Sequence, residues 1–261
     1  MDIYPLTHSS SSGWGDLPDL DHQAQLGLVF GGADLLGDDS PVRRLAEHYP
    51  TMTLLGCRSS IDQAVTEVDD SELTATLVGF SSARLLARSS KISEPKDSAT
   101  VGANLARCLN GPVPAGVLLF GDGAGVDANA LIEAMRSAFP ESTVVAGGLS
   151  ELTCSTSGRP ECWTLVEGQP VTGHVTAVGL YGQIEMEEVA DGDHFNFARA
   201  FAVAASPMLS MEIAGSTKPS TDAMGWDLPA GSTTLGIGVS ESIADYAVTT
   251  PARSRTFISE S

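Results

Sequence analysis

Lysine is nearly absent from this chain of 261 residues: there are three, Lys91, Lys96 and Lys218. Arginine brings the basic total to 14 against 33 acidic residues, a net charge of −19. A phosphate-binding surface needs clustered Lys and Arg, so the composition argues against nucleic acid as a partner. The same shortage argues against docking on anionic membranes. No apolar run approaches the ~20 residues that a membrane-spanning helix needs. The start carries Asp2 and lacks a basic stretch ahead of an apolar one, so no signal peptide is expected and the cytoplasm is the expected compartment. The four cysteines, Cys57, Cys108, Cys154 and Cys162, form no CxxC pair, which excludes the common zinc spacings and makes a disulfide framework unexpected. The five histidines (His8, His22, His48, His174 and His194) are scattered, and no metal site follows from their spacing. No GxSxG elbow is found, and residues 121–125 lack the Gly-Lys-Ser/Thr ending of a phosphate loop.

What is present is a globular composition, 42% hydrophobic and 18% charged. The excess of Asp serves solubility and fits a halophile or a GC-rich genome. Residues 1–24, rich in Ser, Gly, Pro and Asp, read as a flexible leader. Residues 25–30 (QLGLVF) form a buried-strand signal ending in Gly31-Gly32. Ser40-Pro41 opens a short helix that Pro50 stops, and residues 51–55 make a second strand ending at Gly56-Cys57. Residues 74–80 are a further strand, 84–91 a candidate one, and 97–109 a helix with Val101, Leu105 and Cys108 on one face. The order then returns. Residues 115–120 (AGVLLF) lead to Gly121-Asp122-Gly123, a helix over 127–139 ends at Pro140, and 143–146 lead to Gly147-Gly148. Strands at 163–166 and 174–181 follow, around a Glu167-Gly168 turn. Phe30 matches Phe120, Gly56 matches Gly147 and Gly79 matches Gly179 at nearly constant offsets. The expected fold class is α/β (α+β): internally duplicated β-α-β-hairpin units, with mixed sheets flanked by helices. The repeats cover about 25–110 and 111–192 of a domain at 25–192. The tail at 193–261 is low in charge, with weak signals for a helix at 194–205 and a strand at 235–239, and its texture is that of a truncated or frameshifted reading.

Ligands of α/β units bind outside the carboxyl ends of the strands. The candidate ligand-binding residues stand there: Gly56, Cys57, Arg58, Ser59 and Ser60 from the first unit, with Asp122, Gly123, Gly147, Gly148 and Leu149 from the second. Glycine admits close backbone approach, although each glycine also has a plain reading as a turn residue. Cys57 beside Arg58 is a candidate reactive thiol, because a neighbouring cation lowers a thiol pKa. Asp127 is positioned to cap its own helix. Asp122 has no structural duty legible from the sequence.

Together these motifs resemble the FIST N-terminal domain family. Residues 26–30 and Leu54-Leu55-Gly56-Cys57-Arg58-Ser59-Ser60 are similar to its first strands, the second ending in Gly-Cys. Leu118-Leu119-Phe120-Gly121-Asp122-Gly123 and Val144-Val145-Ala146-Gly147-Gly148-Leu149-Ser150 resemble its later strand ends, and Trp163-Thr164-Leu165-Val166-Glu167-Gly168-Gln169-Pro170-Val171 its following turn. The resemblance spans about residues 25–190. It implies a prokaryotic, non-enzymatic sensory domain of signal transduction that binds amino acids or other small anionic metabolites without a cofactor. Implied partners are a histidine kinase, a cyclase or a chemotaxis protein. Some relatives bind haem and sense nitric oxide, which makes a haem-based gas sensor the alternative, and a thiol enzyme using Cys57 is a further one. Arg58 and Asp62-Gln63 depart from the family pattern, which implies a different ligand, and Arg58 is suited to meet an anionic group such as a carboxylate. Residues 195–261 do not resemble the family's usual continuation.

Overall fold

In the computed structural model, residues 2–20, 24–31, 40–58, 73–109, 111–123, 125–150, 162–191, 234–239 and 253–260 are described. In chain order they form β1 (Asp2–His8), β2 (Ala24–Gly31), α1 (Pro41–His48), β3 (Thr53–Arg58), β4 (Leu73–Phe80) and β5 (Arg84–Lys91). A short 3-10 turn (Pro95–Asp97) leads into α2 (Ser98–Leu109), β6 (Gly116–Asp122), α3 (Ala128–Arg136) and β7 (Val144–Ser150). Then come β8 (Thr164–Val166), β9 (Gln169–Val171), β10 (His174–Tyr181), β11 (Ile184–Asp191), β12 (Thr234–Val239) and β13 (Arg253–Glu260). Mixed sheets with a few helices make this an α/β fold, as expected.

The apolar runs determine which strands are central. β6 (GVLLFGD) is buried along its whole length, and so is β4 after its second residue. Strands covered on both faces read as continuous apolar runs. The first sheet has the order β1-β4-β2-β3-β8-β9 and the second β5-β10-β6-β7. In each, one parallel pair, β2–β3 or β6–β7, sits beside two antiparallel neighbours. The registers correspond as well: Val29 faces Gly56 and Ala75, while Leu119 faces Gly147 and Ala177. A third sheet, β11-β13-β12, follows.

Alternate residues point to opposite faces of a strand, and the two periodic sets fill separate cores. Leu26, Leu28, Phe30, Leu55, Cys57, Val78 and Phe80 of the first sheet meet Leu118, Phe120, Ala146, Val178 and Leu180 of the second. Val42 and Leu45 of α1 cover the other face of the first sheet, with Trp14 and Trp163. Residues of α2 and α3, among them Leu105, Leu109, Leu131 and Met135, cover the other face of the second. The layers thus run helix, sheet, sheet, helices.

Several expectations change. Residues 2–8, read as part of a flexible leader, pair with β4 along their whole length as the edge strand β1. Gly79 and Gly179 are not equivalent. Gly79 faces Gln25 and Gly179 faces Val117, whereas the residue of the first sheet at the Gly179 position is Leu77, which faces Gly27. Cys108 is exposed and is not part of the buried face of α2. The expected strand at 235–239 is β12. The expected helix at 194–205 and the segment 59–72 lie outside the described residues.

Candidate functional site

The parallel pairs β2–β3 and β6–β7 end on the same side of the sandwich, where Phe30 meets Phe120 edge-on with centroids 5.2 Å apart. Around them the inward-pointing positions are Cys57, Asp122, Gly148, Ser150 and Thr164. Cys57 and Asp122 are each 3% exposed. β8 closes this end from the side. Its Thr164 stands opposite Cys57 and donates Oγ1–H to Gly56 O at 3.0 Å, and the Arg58 N–H donates to Trp163 O at 3.0 Å. Thr176 of β10 donates to Leu165 O at 2.8 Å, so β8 is hydrogen-bonded into the first sheet and held by the second.

Gly56 and Gly147 are glycines for a backbone reason. Their φ angles are +155° and +153°, and an added Cβ would lie 1.8 Å from Val29 O and 1.6 Å from Leu119 O. No side chain can occupy that space, and both positions point toward the helix-covered faces. Gly123 is similarly tight: a Cβ there would meet Ser150 O at 2.1 Å, while its N–H donates to Ser150 Oγ at 3.1 Å. Gly148 differs. The nearest atom to its added Cβ is a Phe120 ring carbon at 3.9 Å, so it leaves room on the inward face.

The structure brings Cys57, Asp122 and Gly148 of the sequence candidates together, with Gly123 at the adjoining strand end. Leu149 packs instead against the α2–α3 core. Ser59 and Ser60 lie outside the described residues. Phe30, Phe120, Ser150, Cys162 and Thr164 are not among the site residues expected from the sequence. Asp122 does have a structural duty: its Oδ2 accepts the Gly173 N–H at 2.7 Å and ties β6 to the turn before β10.

The reactive-thiol expectation is overturned. The Cys57 thiol is pushed far above its ordinary range, first by burial and then by Cys162 and Asp122 nearby. Arg58, one residue on, leaves the opposite pleat and does not offset this. A thiol held protonated is a poor nucleophile.

Among the described residues no group of three or more His, Cys, Asp and Glu side chains could hold a metal ion. Three histidines, the residue type that most often ligates haem, are among the described residues. His8 packs edge-on to Trp14, His48 to Tyr49, and His174 Nδ1 lies 2.8 Å from Thr172 O. His22 and His194 lie outside the described residues. No helix among the described residues is long and apolar enough to cross a membrane.

A family model described as the FIST N domain matches residues 25–206, well over half of the chain. No curated protein matches the chain.

Proposed function

The chain belongs to the FIST N domain family, a family of sensory signal-transduction domains, and from this premise we propose that it binds a small metabolite where the two sheets end together. The observation that carries the reading is the convergence of both parallel strand pairs on one end, around Phe30 and Phe120. The ligands proposed are amino acids or other small anionic metabolites. Gly148 leaves space beside an aromatic wall, and Asp122 supplies a buried carboxylate that the ammonium group of an amino acid would meet. Occupancy would bridge the two sheets and bias their relative positions, the physical requirement for a sensor. The readout proposed is a histidine kinase, a cyclase or a chemotaxis protein. The protein is read as non-enzymatic, consistent with a Cys57 thiol that burial keeps protonated.

A panel of amino acids and small carboxylates tests this by thermal unfolding. A ligand at one hundred times its Kd adds about 2.7 kcal/mol, a shift of several degrees. The Gly148→Leu variant, which fills the space beside Phe120, is expected to keep its fold and lose the shift. A folded wild-type protein that shifts with no member of the panel overturns the reading.

A further inference from the structure

The scarce positive charge of this chain is not spread evenly. Of its 14 basic residues, Arg84, Arg88, Lys91 and Lys96 fall within one short stretch whose only acid is Glu94. Lys96 is paired with Glu94 at 2.5 Å. The other three stand on β5, which carries no acidic residue and is the terminal strand of the second sheet.

β5 is bonded on one side only among the described residues. The Ile92 N–H donates to Gly173 O at 2.8 Å, which turns the even-numbered backbone groups of this strand toward β10. Backbone direction alternates along a strand, so the N–H and C=O groups of Leu85, Ala87, Ser89 and Lys91 face outward. Two of these carbonyls are met by side chains of the same strand: Arg88 Nη1 donates to Ala87 O at 2.7 Å and Ser90 Oγ–H to Lys91 O at 3.4 Å. Arg84 and Arg88 stand four residues apart on the face shared with Tyr181 and Ala177, and the Arg84 guanidinium lies 4.7 Å above the Tyr181 ring. Lys91 stands on the opposite face.

We propose that β5 is a docking edge for an extended acidic segment of a partner protein, which adds as a further strand outside Arg84–Lys91. The backbone edge supplies hydrogen bonds and the basic side chains supply selection. The expected occupant carries two acids four residues apart, which places both beside Arg84 and Arg88 on one face. A second copy of this chain is the wrong occupant, because β5 against β5 would oppose like charges.

A fluorescent Val/Thr-rich peptide with two glutamates four residues apart tests the proposal on the full chain. It is expected to bind at low salt and to slow amide exchange at Leu85, Ala87, Ser89 and Lys91. A peptide whose glutamates are three apart, and so on opposite faces, is expected to bind more weakly. The R84E/R88E variant should lose about tenfold in affinity. Ala87→Pro removes an outward N–H without touching the β10 ladder and should abolish the exchange protection. Circular dichroism establishes that each variant is folded; should Ala87→Pro fail to fold, the arginine variant decides alone. Absence of binding, protection at sites other than β5, or equal affinity of R84E/R88E and wild type overturns the proposal. Ligand shifts at the strand ends are read separately, so failure here leaves the sensory reading standing and the reverse also holds.

Discussion

The two sheets have the same strand arrangement at their centres and differ at their margins. Both have an edge strand, two antiparallel neighbours and a parallel pair with a glycine corner at the matching register. Among the described residues the second sheet ends at β7, and it is covered by two helices. The first is covered by one short helix and extended by β8 and β9, which come from the later part of the chain. The helix starts also differ. Asp127 caps α3 by accepting the Ala130 N–H at 3.0 Å, whereas Ser40 at the start of α1 makes no such bond and its buried Oγ has no partner among the described residues. A register shared at the centre and margins that differ show where backbone geometry dictates the residue and where packing can choose.

The most damaging changes fall where the sheets agree. Gly56→Val and Gly147→Val each force a side chain onto a carbonyl oxygen of the neighbouring strand. Losses of about 4 kcal/mol or more are expected in both, measured by urea unfolding. Tolerance of either one would break the correspondence of the corners. Next come Phe30→Ala and Phe120→Ala, at about 3–4 kcal/mol each. Their double-mutant cycle should show a coupling of about 1 kcal/mol, as for an edge-on aromatic pair. Additive losses would mean that the rings do not join the sheets.

The difference between the sheets is sharpened by pH. Burial raises the folded-state pKa of Cys57 above that of the unfolded thiol, whose ordinary value is 9.0. Between those values the unfolded chain has released a proton that the folded one keeps. Stability is therefore complete below the unfolded pKa and falls as pH rises above it, by up to about 1.4 kcal/mol per unit. Cys57→Ala should flatten that alkaline fall; a slope equal to that of the wild type would contradict a buried, protonated Cys57. The smallest effects separate the helix starts. Asp127→Ala should cost about 1 kcal/mol as a lost cap. Ser40→Ala should be neutral or slightly stabilising, since it removes a buried hydroxyl that bonds nothing among the described residues. A loss at Ser40 matching that at Asp127 would make the two starts alike.

The central strands were legible because their apolar runs are long and their ends are marked by glycine. β1 was not, since DIYPLTH has few apolar residues and a proline that suits only an edge. Gly79 and Gly179 misled because glycine is common and the true register is fixed by backbone pairing. At the site, strand ends could be read, but burial could not, and burial reverses the expected chemistry of Cys57. Cys162, Thr164 and Phe120 reach Cys57 and Phe30 only through tertiary pairing. Leu149 stands at the expected strand end, but its pleat turns it to the α2–α3 core.

The hydroxyl of Thr164 reaches Gly56 across 108 positions of chain. Closing so long a loop is entropically costly, and contacts of that separation slow folding. The first sheet therefore cannot complete itself when its own residues have left the ribosome. It waits for β8, so maturation of the amino-terminal half is timed by synthesis of the carboxyl-terminal one.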